Sequence, residues 1–440
     1  MECARLVDFF LPCVFMDQAE GLLYDTQAPL NPTIIQTPTE SNLLVASVEP
    51  WKQPSSSSNA EADRDAQAPS SYLVATGADK QLHLFKTAAG HGIAHSFAGH
   101  SDSPILSYAF VRNGKYFFLT NMSGQLILQR GADVLGRRKD HSKYAIKVVV
   151  YEDADTGKVL VATAGWDSKI CVYAFDLPAE ADTVTMDEPV TYINLATNPE
   201  SMLFVRHVDL ERVVLLVSRR DSTHLYYYQV DNISTSPTTT STTPKECRLL
   251  GKQNLAPHSN AWVTFSPSGL ALSPHDPGLL AVATSSLPHM KVIIVRLLFP
   301  PAESFEIDSN QATTPAAAEP ETQATQAFAA LALQNREDAA ILVQANTFSP
   351  QTAYSTPQVV WRPDGSGVWV NGDDGVIRGV EARTGKVVAL LKQGHQNGYK
   401  VRTIWAGWVE VLKDDDSGEV TVEEWVVSGG FDKRLIIWKR

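Results

Sequence analysis

The 440-residue sequence predicts an all-β fold in which residues 1–440 form one domain, a β-propeller of seven four-stranded blades closed into a ring. Three observations predict it. Short aliphatic runs flanking a tight turn recur along the chain, the turn centres repeat at a base interval of 44 residues, and the last run stops at Arg440, one strand short of a blade.

Taken in order, the first element is the apolar stretch Ala4–Met16. Glu2 and Asp8 ahead of the apolar run, Pro12 inside it and the lack of a small-residue cleavage site argue against a secretory leader, so an ordered strand is expected. The first hairpin is Leu73–Phe85, with Gly77-Ala78-Asp79 at its turn. Leu160–Tyr173 and Trp425–Trp438 read the same way, around Asp167 and Asp432. Alternation of period two on both sides of a turn is the mark of a β-hairpin. Fainter copies lie at Tyr116–Gln129, Val213–Val230, Leu279–Leu298 and Gly367–Val380.

The seven turn centres are Asp79, Ser123, Asp167, Asp221, Pro288, Asp374 and Asp432, separated by 44, 44, 54, 67, 86 and 58 residues. The base interval fits the roughly 40–45 residues of a four-stranded blade, and the longer intervals carry inserts. A lone blade exposes two apolar faces, which only stacking around a ring buries. Because the chain stops after the third strand of the last blade, Ala4–Met16 is expected to supply the missing outer strand, which would join the termini and remove an open edge.

Two Gly-His pairs, Gly99-His100 and Gly394-His395, precede blades. With the repeated turns, they make the sequence similar to the WD-repeat β-propeller family over almost its whole length. In that family a His, a second-strand Ser or Thr, the turn Asp and a third-strand Trp form a hydrogen-bonded tetrad. The resemblance implies one complete tetrad, His395, Ser428, Asp432 and Trp438, and a second, His141, Thr163, Asp167 and Tyr173, with Tyr in place of Trp. Asp79 with Phe85, and Asp374 with Val380, keep only the turn Asp; the blades around Ser123 and Pro288 lack even that.

The resemblance also implies a role: a non-catalytic scaffold or adaptor subunit that grips protein or peptide partners with its top-face loops and central channel. Two alternatives follow from the same family. Receptors of cullin-type ubiquitin ligases carry a Trp-Asp-x-Arg box after a third strand; Trp166-Asp167-Ser168-Lys169 and Phe431-Asp432-Lys433-Arg434 look similar but fall in the turn before it. Phosphoinositide-binding propellers carry paired arginines in a Phe-Arg-Arg-Gly context. Arg219 and Arg220 resemble that pair, but stand in Ser218-Arg219-Arg220-Asp221, which weighs against lipid binding.

Enzyme signatures are missing: there is no G-x-S-x-G elbow, phosphate-binding G-x-x-x-x-G-K-[ST] loop or H-E-x-x-H pair. His91, His95 and His100 flank one strand and are expected to be structural or solvated, as is Asp373 beside the turn Asp374. No catalytic residue, cofactor or metal is therefore expected. Cys3, Cys13, Cys171 and Cys247 form no C-x-x-C pair, which argues against disulfides or zinc and for a reducing compartment, the cytoplasm or nucleus. No apolar stretch reaches the roughly 18 residues of a membrane span.

Four inserts are expected at 53–71, 234–244, 301–338 and 410–424. The second offers Ser236-Pro237 and Thr243-Pro244 as proline-directed phosphorylation sites. The third contains a helix-prone run, Gln326–Arg336, with Phe328, Leu331 and Ala332 on one side. Arg137-Arg138-Lys139 is expected in a solvated connecting loop. The chain carries 37 basic and 49 acidic residues, a formal net charge of −12, which argues against nucleic acid. Segments 301–338 and 410–424 each carry one basic and seven acidic residues, so they account for the whole excess. Any partner steered by charge is then expected to be basic and to meet these inserts.

Overall fold

A computed structural model describes residues 30–37, 40–51, 70–88, 91–154, 157–177, 184–210, 212–230, 245–258, 265–306, 323–412 and 420–439. Strand β1 (Asn31–Ile35) is the first among the described residues and belongs to the last blade. Blade 1 is β2 (Leu43–Trp51), β3 (Ser70–Gly77), β4 (Leu82–Lys86) and β5 (Ile93–Phe97). Blade 2 is β6 (Ile105–Val111), β7 (Tyr116–Asn121), β8 (Gln125–Arg130) and β9 (Asp133–Lys139). Blade 3 is β10 (Ala145–Glu152), β11 (Val159–Gly165), β12 (Lys169–Phe175) and β13 (Thr191–Asn194).

Blade 4 is β14 (Pro199–Arg206), β15 (Val213–Arg219), β16 (His224–Gln229) and, after β17 (Lys245–Glu246) has left to pair in parallel with β13, β18 (Leu249–Asn254). Blade 5 is β19 (Pro267–Leu272), β20 (Leu279–Thr284), β21 (His289–Arg296) and β22 (Ile341–Pro350), with helices α1 (Glu303–Glu306) and α2 (Gln323–Ala340) between the last two. Blade 6 is β23 (Val359–Trp361), β24 (Gly367–Val370), β25 (Ile377–Glu381) and β26 (Val387–Leu391). Blade 7 is β27 (Val401–Leu412), β28 (Val420–Gly430), β29 (Leu435–Lys439) and β1. All seven predicted turn centres lie between the second and third strands of their blades.

Alternation explains the stacking. In β11, Val159 and Val161 pack toward blade 2, whereas Ala162 and Ala164 pack toward blade 4. Seven apolar clusters result, one at each junction between neighbouring blades, including the junction of blades 7 and 1. Each blade is thus covered on both sides. Inner strands are also tied side by side: the backbone N–H of Ala46 donates to Thr403 Oγ1 (3.2 Å), that of Val148 to Ser107 Oγ (3.2 Å) and that of Ile404 to Gln358 Oε1 (3.2 Å).

Ring closure by an N-terminal strand occurs, but with a different segment. The expected Ala4–Met16 lies outside the described residues; β1 fills the place, antiparallel to β29, with Asn31 opposite Lys439 and Ile35 opposite Leu435. Pro32 hides this strand from a reading of its residues, yet an outermost strand tolerates a proline. Only seven residues separate it from β2, so a short connection feeds blade 1 directly.

The inserts need similar correction. Ser70 and Ser71 belong to β3, and 234–244 lies outside the described residues. Of the expected insert 410–424, residues 413–419 lie outside the described residues, and the rest is strand: β27 and β28 continue in register out to Leu412 opposite Val420. Arg137-Arg138-Lys139 ends β9 instead of forming a loop. Helix α2 runs beyond the expected stretch and begins before it, and its Phe328, Leu331 and Leu333 are exposed. Its last turn is held by Glu337, which accepts the Asn254 N–H (2.7 Å), and by Ala340 in the core. No helix among the described residues is long and apolar enough to cross a membrane.

The acidity of the two segments is also partly neutralised in the fold. Glu424 takes a fork from Arg362 of blade 6 (Nε to Oε1, 2.8 Å), both side chains being buried, and Glu423 accepts Trp425 Nε1–H (2.8 Å). With Glu337, that leaves fewer free carboxylates for a basic partner than the residue count implies.

Closure through β1 can be measured. Ile35 is 5% exposed and Ile34 55% exposed on the same strand. Ile35→Ala should cost about 2–4 kcal/mol in urea unfolding and Ile34→Ala less than about 0.5 kcal/mol. Equal effects would mean that β1 does not seal the ring.

Candidate functional site

The second-to-third-strand turns and the loops between blades share one end of the ring, here termed the turn face; the other two kinds of connection share the opposite face. The turn face is built on a repeated backbone device. In blades 1, 3, 6 and 7 the turn Asp accepts the N–H two residues on: Gln81 to Asp79 (3.3 Å), Lys169 to Asp167 (3.3 Å), Val376 to Asp374 (3.2 Å) and Arg434 to Asp432 (3.3 Å). The residue between them, Lys80, Ser168, Gly375 or Lys433, takes a positive φ. A short acceptor side chain that satisfies its own turn is why aspartate recurs here.

In blade 7 all four expected residues meet. Trp438 Nε1–H, which can only donate, gives its proton to Ser428 Oγ (2.8 Å). The Asp432 carboxylate can only accept, so His395 bonds it through a protonated Nδ1 (3.0 Å), and in the neutral ring Nε2 then accepts the Ser428 hydroxyl proton (2.8 Å). Asp432 also accepts the Gln396 N–H (2.9 Å). Burial raises the Asp432 carboxyl pKa, but the bonds from His395 and the two backbone N–H groups outweigh it, and the net shift is below the ordinary carboxylate value. The glycines are explained too. A Cβ on Gly430 would stand 2.6 Å from Asp432 Oδ1, and one on Gly394 would stand 2.6 Å from the Trp438 ring.

Blade 3 keeps three members. His141 bonds Asp167 Oδ1 (3.0 Å) and Thr163 Oγ1 (2.8 Å), and a Cβ on Gly165 would meet His141 Nδ1 at 2.3 Å. Asp167 is likewise shifted downward, its hydrogen bonds overcoming burial. Tyr173 departs from the expected tetrad. Its hydroxyl, at the far end of the ring, stays beside Thr163 but donates to Asp140 Oδ2 (2.9 Å), which also takes the fork of Arg138.

The other blades depart further. Asp79 and Asp374 are partnered after all, by the residue four places on: His83 Nε2 at 2.8 Å and Arg378 Nη1 at 3.1 Å. An Asp-x-x-x-(His/Arg) spacing was readable in both. Gly99-His100 is one position out of step with Gly394-His395. Ser101 occupies the histidine place and accepts from Asn121 Nδ2 (2.9 Å), His100 bonds Gln129 (2.7 Å), and nothing crowds the missing Cβ of Gly99.

Arg219 and Arg220 do not project as a free pair. Arg219 donates to Thr197 Oγ1 (3.1 Å) and the Tyr226 hydroxyl (2.8 Å), and Arg220 pairs with Glu200 (2.7 Å). The Trp166 and Phe431 segments lie in turns, ahead of the third strand. His91, His95 and His100 do not converge: His91 stacks edge-on to Trp425, His95 lies against Trp51 and His100 against Phe97. Among the described residues no three His, Cys, Asp or Glu side chains form a metal-holding group. Cys171 and Cys247 are buried and in no disulfide, Cys247 donating to the Gln229 carbonyl (2.7 Å), and burial pushes the Cys171 thiol up to about 11.

Sequence patterns missed the feature that marks this face. Tyr144, Trp166, Phe348, Tyr354, Tyr399 and Phe431 are exposed, and all sit on turn-face loops or at the turn-face end of β22. The other exposed aromatics among the described residues are Phe328 on α2 and Trp408 on the blade 7 hairpin. Tyr354 is 90% exposed, Tyr144 and Trp166 pair their rings at 5.3 Å, and Phe348 is held at φ +56°, a conformation bulky side chains avoid. Aromatic residues are enriched where proteins bind one another because they bury large area with few rotors.

Compared with known proteins, the chain matches a family profile described as a beta-propeller domain over residues 63–438. No curated protein matches it.

The tetrad has two measurable consequences. Ser428→Ala leaves the Trp438 N–H and His395 Nε2 without partners and should cost about 1–3 kcal/mol in chemical unfolding. Because the carboxyls of Asp167 and Asp432 titrate lower in the folded than in the unfolded state, their contribution is present above about pH 4 and is lost as pH falls further. Asp432→Asn should therefore flatten the loss of melting temperature between about pH 5 and 3; an unchanged slope would contradict it.

Proposed function

Because the chain belongs to this family of beta-propeller domains, with residues 63–438 inside its bounds, we propose that it is a non-catalytic interaction scaffold of the WD-repeat type, an adaptor subunit that holds protein partners on its turn face. One observation carries the proposal: six exposed aromatic side chains are gathered on one of the two ring faces. Their scaffold is stiff. The turns beneath Trp166 and Phe431 are pinned by the Asp167–His141 and Asp432–His395 bonds, so a partner meets loops that are already ordered. Preformed loops lower the entropy lost on binding.

Catalysis finds little support. The turn carboxylates of blades 1, 3, 6 and 7 are engaged in structural hydrogen bonds, and Asp373 is paired with Lys400 (2.9 Å). The absence of cysteine pairing motifs favours a cytoplasmic or nuclear setting, where such an adaptor would meet its complex.

Affinity purification with quantitative mass spectrometry tests the proposal. Stoichiometric partners recovered with the native protein should fall at least fivefold with Trp166→Ser, Tyr354→Ser and Tyr399→Ser combined, and should persist with Trp408→Ser on the opposite side. Recovery unaffected by the triple change would overturn the turn-face assignment, and recovery of the protein alone would count against a scaffold.

A further inference from the structure

Alternation along β2 sends Ala46 and Val48 toward blade 7 and Ser47, Glu49 and Trp51 toward blade 2. A lone acidic side chain at such a junction is costly unless polar groups receive it. Here Glu49 Oε1 lies 2.7 Å from Ser47 Oγ, and Ser47 Oγ lies 2.8 Å from Tyr108 Oη of β6. Tyr108 Oη in turn lies 3.1 Å from the Val74 carbonyl of β3. The relay thus crosses from blade 1 to blade 2 and returns. Ser47 and Tyr108 are buried, and Glu49 is partly so.

Each of these three contacts needs a proton between its oxygens, and the Val74 carbonyl can only accept. The two hydroxyls supply one proton each. The third must come from a neutral Glu49 carboxyl group, which donates to Ser47, so that Ser47 donates to Tyr108 and Tyr108 to Val74. When Glu49 ionises, its O–H bond breaks and the proton leaves to water. The Ser47 proton then swings to the carboxylate and the Tyr108 proton to Ser47, and the Val74 carbonyl loses its partner.

The surroundings favour the neutral form. The titratable side chains of the adjoining β3 and β6 are Tyr72 and Tyr108. Beyond them, His95 of β5 lies against the Trp51 ring (4.6 Å), and His83 of β4 bonds Asp79 (2.8 Å). Lys86 is exposed at the end of β4, and Arg112, after β6, pairs with Glu152 (3.3 Å). Across the sheet, on the blade 7 side, Glu423 accepts Trp425 Nε1–H (2.8 Å) and Arg402 stands at the turn-face end of β27. Among the described residues no cation pairs with Glu49. Burial pushes its carboxyl up to about 7, against the pull of the Ser47 bond. Burial first, and then the Glu49 charge, keep the Tyr108 phenol protonated well above its ordinary range.

We propose that Glu49, Ser47 and Tyr108 form a proton-operated latch between blades 1 and 2, closed while Glu49 is neutral and opened when it ionises. The sign follows from linkage. The folded protein holds this proton more tightly than the unfolded chain, so the contribution of the latch is fully present below about pH 4.5 and is lost as pH rises to about 7. The device is independent of the aromatic loops.

The test uses the full-length protein. Infrared spectra of the native protein at pH 5 should contain the carbonyl stretch of a protonated carboxyl group that Glu49→Gln removes and that disappears by pH 8. Between those pH values the melting temperature of Glu49→Gln should rise relative to the native protein by about 3 °C or more, because its amide still donates to Ser47 but cannot ionise. At pH 8 the amides of β2 and β6 should exchange hydrogen faster in the native protein than in Glu49→Gln, and at pH 5 alike. Ser47→Ala provides a second reading that does not need the Gln variant to fold: it should move the carboxyl band, which a carboxyl group outside the relay would not feel. The latch is overturned by the absence of a Glu49-dependent band at pH 5, by parallel melting profiles, by exchange that is the same in both proteins at pH 8, or by a band that ignores Ser47→Ala.

Discussion

Everything in this fold depends on the requirement that each sheet bury both of its faces. A blade is apolar on either side, so it needs a neighbour on either side, and only a closed ring gives every blade two. The seven junction clusters meet that requirement, and the junction of blades 7 and 1 is completed by Ile35 from β1 packing with Leu435 and Trp425. The closing strand therefore does more than cover an edge: it joins the first described segment to the last blade, so that the ring cannot open without losing a whole sheet pairing. The Arg362–Glu424 fork between blades 6 and 7 adds a directional tie beside it, of a kind whose rupture would strand a buried charge.

A closed ring also fixes what its ends can do. The turns are short and repeated, and a turn aspartate stabilises four of them in the same way while accepting different second partners. Histidine from the preceding loop serves blades 3 and 7, a third-strand histidine serves blade 1, and an arginine at the same spacing serves blade 6. What persists is an acceptor that caps its own turn and a donor that immobilises it. The outward residues are then free to differ, and on this face several are aromatic.

Much of the architecture was legible because hairpin alternation and the 44-residue interval are local signals. All seven turn centres were placed correctly, even Ser123 and Pro288, where no signature residue remains. The blade 7 tetrad was legible because its spacing is rigid. Two features were not. Asn31–Ile35 looks unlike a strand because of Pro32, whose fitness depends on its being outermost. Tyr173 reaches Asp140 because of where its hydroxyl sits, a matter of side-chain length that spacing does not encode. The aromatic residues of the turn face were likewise scattered along the chain, and only the shared end of the blades gathers them.

Net charge belongs to the same lesson. The acidic excess resides in two segments, but Glu337, Glu423 and Glu424 serve the fold itself, so the surface at the turn face is better described by its rings than by its sign. The most direct test of that surface is lysine cross-linking of the protein within its native complex, read by mass spectrometry. Lys80, Lys143, Lys400 and Lys433 stand on the turn face, whereas Lys86, Lys115 and Lys386 stand on the opposite one. Partner cross-links concentrated on the first group are the predicted result; partner cross-links confined to the second group would contradict the account.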